Sequence, residues 1–171
     1  MRKQKPEKAG IDLLTAGLKS DDGMKRKKAR KSLVDIGKPA IHGLSLILKN
    51  SKIEQERWEA AKALSEIDDP KVIIPLVKVL GDDNQDLAWL AAEGLIKFKK
   101  LAWMPILMRI MKYGSECLFL RQGAHHVFLN QKEKHFTGLL AVLVKTLDTN
   151  AAPGLSHAAA RDMIQHMKAK V

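Results

Sequence analysis

Two groups of residues in this 171-residue chain have types suited to chemistry. The first is the histidine stretch: His125 and His126 side by side, Arg121 before them and His135 after. Imidazoles ligate metals and move protons. Adjacent residues on a helix, however, point about 100° apart, whereas two histidines sharing a zinc ion stand one turn apart. The expectation is that one ring bridges or caps neighbouring helices by hydrogen bonds while the other faces solvent, and that no metal is held. The second group is Glu54, Glu56, Glu59 and Glu66, lying near Lys52, Arg57 and Lys62. Paired carboxylates serve as acid and base, but no spacing here makes two of them face each other. Salt bridges on a helix surface account for them. The one cysteine, Cys117, sits on an apolar flank. It excludes a disulfide within the chain and argues against a cysteine metal site. No glycine-rich phosphate loop, nucleophile elbow or zinc pattern occurs. Neither a catalytic residue nor a cofactor is expected.

Side chains suited to binding stand out more. Trp58 and Trp89 are 31 residues apart, with Lys27 a further 31 before. Each tryptophan flanks small inward residues, which suits packing between successive helices. The alternative is a pair of exposed aromatic anchors, a role that rigid, large side chains fill well. Trp103 is expected partly exposed beside an irregular turn. With Arg57, Arg121, His125 and His126, these three tryptophans make the candidate partner-binding set. Arg121 is further expected to join Lys132 and Lys134 in a basic patch. His157 and Arg161 suggest a terminal surface and no site.

The basic residues form the other candidate set. Lys25, Arg26, Lys27, Lys28, Arg30 and Lys31 are the densest cluster, and Lys97, Lys99, Lys100, Arg109 and Lys112 are a second. Net charge is +11, divided as +7 over residues 1–31, −4 over 32–94, +7 over 95–145 and +1 over the remainder. Such patches suit nucleic acid, an acidic protein or anionic lipid. They also suit a solvated helix at the end of a stack. No aromatics or glycines are interleaved with the basic run, and an acidic middle would repel a duplex laid along the chain.

The elements that position these residues come from an internal repeat. Leu33, Leu64 and Leu95 are 31 residues apart, as are Ala29 and Ala60, Pro39 and Pro70, Ile36, Ile67 and Phe98, and Leu48, Val79 and Ile110. Between Arg57 and Leu80 the pattern reads as two short amphipathic helices. Ala60, Ala61, Leu64 and Ile67 share one face of the first, and Val72, Ile73, Leu76, Val79 and Leu80 line the second. Asp68-Asp69-Pro70 separates them, because the residue before proline leaves helical geometry. Upstream, Lys25–Ile36 and Ala40–Lys49 flank a Gly37-Lys38-Pro39 turn. Downstream, Asp86–Phe98, with Trp89, Ala92 and Leu95 inward, precedes Met104–Lys112. The fourth repeat is looser: Ala124 and Val127 follow Ala92 and Leu95 by 32, and Phe136–Leu147 is its second helix.

The pattern Arg-x-x-Ala-Ala-x-Ala-Leu-x-x-Ile-x-x-Pro followed by an apolar helix resembles the HEAT repeat, in the short bacterial form of phycobilisome-lyase-like proteins. Residues 57–80 carry it best, 25–49 carry it well, and it extends over 21–147. It departs after Phe98, where Lys99-Lys100-Leu101 replaces the Asp-Pro turn. The resemblance implies an all-α, right-handed α-solenoid of about four helix pairs with a lone helix at each end. The expected layout is a single domain over 1–171: a half-unit at 7–20, repeats at 21–50, 51–81, 82–113 and 114–148, and a terminal helix at 153–170. A packing motif carries little chemistry. Some HEAT-like enzymes hold two irons with His-Glu dipeptides, but none of the six histidines here precedes a glutamate. Some are DNA glycosylases, whose aromatic cleft with an Asp and an Arg has no counterpart in this sequence. Nothing marks a tetrapyrrole pocket either.

The resulting expectation is a non-enzymatic scaffold that binds another protein or peptide across its second helices. Nucleic-acid binding through the two basic groups is the alternative. No apolar stretch approaches the ~20 residues that span a bilayer. The basic start lacks the apolar run of a secretory signal. The expected setting is the cytoplasm, as a monomer or weak dimer.

Overall fold

A computed structural model describes residues 8–114, 117–148 and 151–169. The basic start, residue 7 of the expected half-unit, residues 115–116 of the fourth repeat and residue 170 of the terminal helix lie outside the described residues. The chain gathers into two compact units, Met1–Pro75 and Leu76–Val171. The described residues form helices and turns, with no strand among them.

In the first unit, helices α1 (Lys8–Gly17), α2 (Gly23–Ile36), α3 (Ile41–Asn50) and α4 (Glu54–Glu66) pack α1 on α2 and α3, and α4 on α2 and α3. The Asp22 side chain starts α2 by accepting from the N–H groups of Met24 and Lys25, satisfying donors with no partner inside the helix. Gly37, at φ +70°, ends it. Pro39 then sits in a one-turn 3-10 helix (Lys38–Ala40) leading into α3, and Pro70 begins the matching turn after α4. Ala29, Leu33, Ala60, Ala61 and Leu64 are buried, as the repeat predicts.

Two carboxylates depart from expectation. Glu59 is only 4 % exposed and Glu56 is also buried, so neither is a surface ion-pair partner. Glu59 lies on the face that α4 turns to α2. There it accepts from Arg26 Nε at 3.3 Å and from Arg30 Nη1. Glu56 accepts from the Ser51 hydroxyl at 2.7 Å and pairs with Lys19 at 3.7 Å. A carboxylate can be buried at this depth because cationic or hydroxyl donors replace its water. Lys62 and Glu66 form the expected surface pair, at 3.6 Å.

Helix α5 (Ile73–Val79) lies at the division between the units. The second unit holds α6 (Gln85–Ile96), α7 (Lys100–Tyr113), α8 (Leu118–Leu129), α9 (Thr137–Leu147) and α10 (Pro153–Ala169). α8 packs on α6, α7 and α9, and α10 on α7 and α9. Asn84 caps α6 by accepting from the Leu87 N–H. Cys117 caps α8, its sulfur accepting from the Leu120 N–H at 3.4 Å.

The irregular third turn resolves at Lys99. Its backbone stands at φ 49°, ψ −132°, close to the φ 70°, ψ −128° of Gly37, which occupies the same repeat position 62 residues earlier. The turn is therefore the one used in the first repeat, with a lysine where the conformation favours glycine. α7 starts at once, four residues before the expected Met104. That puts Trp103 inside its first turn and facing the core. Trp103 is fully buried, not partly exposed. Its ring meets Phe128 and Phe136, and its Nε1–H donates to Gln131 Oε1 at 3.3 Å.

Two stability outcomes follow. Lys99→Gly is expected to stabilise the protein by about 1 kcal/mol by relieving the left-handed backbone. Glu59→Ala is expected to destabilise it by about 2–3 kcal/mol, because two half-buried guanidinium groups lose their counter-charge; their residual solvent contact keeps the loss below that of a fully buried pair. Urea unfolding midpoints measure both. An unchanged midpoint for Glu59→Ala would show that the ion pairs contribute nothing net.

Candidate functional site

The second unit carries a groove of about 370 Å3 between the first turns of α6, the middle of α8 and the end of α9. Its leading residue is Trp89, which is 52 % exposed and not inward as the sequence led us to expect. The buried face of α6 is taken by Leu87, Ala88, Ala91, Ala92 and Leu95. Trp89 stands at the edge of that face, where the closely packed α8 leaves no room for an indole. It turns outward and meets the His126 ring, with centroids 4.0 Å apart and planes 31° apart. His126 Nε2 lies 2.6 Å from Glu93 Oε1, so that nitrogen carries the proton and donates to the carboxylate. Glu93 is one helical turn beyond Trp89. The tryptophan, histidine and carboxylate thus brace one another across α6 and α8. This is the bridging role expected of one histidine. His125, beside it, is half-buried and lines the groove.

Phe119, Gly123 and Leu147 supply apolar floor, and Gln85, Gln122 and Asp148 supply polar rim. Sequence reasoning missed these residues. They share no repeat position, and α8 and α9 bring them together. Gly123 lets α8 come close: a Cβ there would lie 2.9 Å from Leu80 Cδ2.

Arg121 is not part of a surface patch with Lys132 and Lys134, nor open to a partner. It is 5 % exposed, and its Nη2 donates to the carbonyls of Asp148 and Ala151, tying the end of α9 to the approach to α10. Its role is to hold the Asp148 rim in place. Trp103 is likewise withdrawn into the core. Trp58 is half-buried, with the Arg30 guanidinium 5.6 Å from its ring centroid. Arg57 is half-buried, its Nε 3.4 Å from the Leu48 carbonyl. Of the seven partner-binding candidates, the structure brings Trp89, His125 and His126 together.

The basic candidates divide in the same way. On α2, Lys25, Lys27, Lys28 and Lys31 are exposed, whereas Arg26 and Arg30 turn inward to Glu59. The second basic group separates to the two ends of α7. Lys97, Lys99 and Lys100 stand near its start, where Lys100 pairs with Glu133 at 2.9 Å. Arg109 and Lys112 stand near its end, both over the Tyr113 ring, with Arg109 Nη2 donating to the Lys78 carbonyl at 3.0 Å. Among the described residues, no cluster of three histidine, cysteine or acidic side chains is placed to hold a metal. No described helix is long and apolar enough to cross a membrane.

Residues 56–82 match the family model described as PBS lyase HEAT-like repeat. The chain carries a HEAT-like repeat. The match covers most of α4, the Asp-Pro turn and α5, where Ala60, Ala61, Leu64, Val72, Leu76 and Leu80 are buried. No curated protein matches the chain. The HEAT-like columns are packing positions, and Trp89 and the groove rim lie beside them.

The single tyrosine reports on the α7 end directly. A hydrogen bond with the Lys112 side chain lowers the Tyr113 pKa from its ordinary value near 10; desolvation opposes this, and the charges of Lys112 and Arg109 lower it further. A near-ultraviolet absorbance titration should place its ionisation below that of free tyrosine, and Lys112→Ala should move it back up. An unshifted midpoint would mean that the lysine does not engage the hydroxyl in solution.

Proposed function

We propose that this protein is a non-enzymatic HEAT-like scaffold that binds another protein or peptide, and that the Trp89 groove is its docking site. The observation that carries this reading is an indole half open to solvent above an apolar floor, held rigid from beneath by His126 and Glu93. A large side chain fixed in its binding pose loses little entropy on contact, which is why such residues become hot spots. The sequence pointed to the second helices of each pair as the binding surface. The groove instead lies on two first helices, α6 and α8, and the end of α9. This reading sets the protein in the cytoplasm, where the lone Cys117 thiol stays reduced.

A second reading has an observation of its own. With 100° per residue, Met24, Lys27, Lys28 and Lys31 share one solvent face of α2, and Lys25 borders it. Glu59 draws the two arginines to the opposite face and leaves these lysines to solvent. Such a face suits the phosphates of a nucleic acid.

Capture from a native cell extract, with nuclease and at two salt levels, separates the readings. On the first, a protein partner survives nuclease and moderate salt and is lost with Trp89→Ala, while the variant keeps its helical circular dichroism. Retention of every partner by a folded Trp89→Ala protein refutes the groove. On the second, wild-type affinity for duplex DNA falls with salt. Replacing the four lysines by glutamine lowers the slope of log K against log salt by about 3–4, at roughly 0.9 per phosphate contact. A slope untouched by the substitutions excludes the α2 face.

A further inference from the structure

We propose that the Trp89 groove receives the guanidinium of an arginine side chain from the partner peptide. The inference rests on the groove being the docking site, and it names the chemistry of what docks.

The chain supplies its own template. Trp58 and Trp89 occupy one repeat position, 31 residues apart. Over Trp58 lies the guanidinium of Arg30, 5.6 Å from the ring centroid, whose Nη1 also donates to the Glu59 carboxylate. An aromatic face and a carboxylate thus hold one guanidinium together. At Trp89 the His126 ring meets the indole and engages Glu93, and among the described residues no lysine or arginine lies over the ring, which stays half open to solvent. Of the carboxylates, Asp148 lines the groove, and the exposed Asp86 stands one turn before Trp89, next to the lining residue Gln85.

Charge points the same way. The chain has 30 basic residues among 171. None falls between Val79 and Ile96, a stretch holding Asp82, Asp83, Asp86 and Glu93. No lysine or arginine lines the groove, and Arg121, which bonds the carbonyl of the lining residue Asp148, is buried and donates to backbone carbonyls. In a basic protein, this groove has an acidic and carboxamide rim around an indole. A guanidinium stacks flat on an indole and offers five donors in its plane, which Gln85, Gln122 and Asp148 can accept. At about 370 Å3 the groove is near the lower end of ligand sites, suited to one long side chain rather than a large cofactor.

The test uses the full chain and pools of short peptides with randomised flanks and a fixed centre: arginine, its neutral isostere citrulline, leucine or glutamate. The expected result is retention of arginine-centred peptides over citrulline-centred ones by roughly tenfold, the size of one well-placed charged contact on an aromatic face. Trp89→Ala should abolish the preference. The exposed double variant Asp86→Asn with Asp148→Asn, which leaves the core untouched, should reduce it. If citrulline, leucine or glutamate centres bind as well as arginine in a Trp89-dependent way, the groove stands as a docking site and the arginine assignment falls. If no pool binds in a way that depends on Trp89, both fall.

Discussion

Close approach between helices at alanine and glycine is the constraint on which the rest of this structure depends. In the first unit, a Cβ added to Gly17 would stand 3.0 Å from Ala29 Cβ, and one added to Gly43 would stand 3.2 Å from Thr15 Cγ2. In the second, Gly123 lets α8 lie against Leu80. Backbones this near leave no space for water, so a polar group caught between them must find its partner there. Glu59 does so with two arginines, and Arg121 with two carbonyls. Large rings face the same restriction. Trp103 enters a pocket already lined by Phe128 and Phe136, where its N–H reaches Gln131. Trp89, on a helix edged with alanine, has no such pocket and turns out.

The helices were legible because their signal is local. The 31-residue columns of leucine, alanine and proline marked each pair to within a few residues, and the Asp-Pro turn and Gly37 marked their stops. The third turn was harder to read, since glycine and proline were the signs sought and Lys99 is neither. Only the interval of 62 residues from Gly37 betrays it, and that interval cannot show that lysine accepts the same backbone. The exposures of Trp89 and Trp103 were not legible. A helical wheel fixes the angle of a side chain. Whether a flank position is covered depends on the element opposite, which sequence spacing does not describe. The same holds for Glu59 and Glu66: both are glutamates on one helix near basic residues, and only the position of α2 makes the first a buried counter-charge.

Charge sorts by side-chain chemistry more than by position along the chain. On α2 the arginines face inward and the lysines face water, although they alternate in sequence. A guanidinium is weakly hydrated and presents a planar fork, so it can exchange water for a carboxylate or carbonyls. An ammonium holds its water more strongly and sits at the end of a flexible stem that reaches solvent. Arg26, Arg30 and Arg121 are therefore part of the packing. Net charge read from composition overstates what the folded surface offers, and the cations left free are mostly lysines.

One repeat position shows how such a fold varies its surface chemistry without altering its frame. Lys27, Trp58 and Trp89 fall at intervals of 31, and Arg121 follows Trp89 by the 32 residues that separate Ala92 from Ala124. The lysine is exposed, the first tryptophan is half-covered by an arginine, the second is half-exposed over a groove, and the last arginine is buried against backbone. Throughout, the neighbouring leucine column at 33, 64 and 95 stays buried, with Val127 continuing it. The column positions meet apolar side chains from the helix opposite and tolerate little change in volume. The flank position meets whatever the next helix supplies there, whether guanidinium, imidazole, carbonyl or water. Side-chain chemistry in this chain thus varies beside the packing seam, where a substitution alters the surface without disturbing the stack.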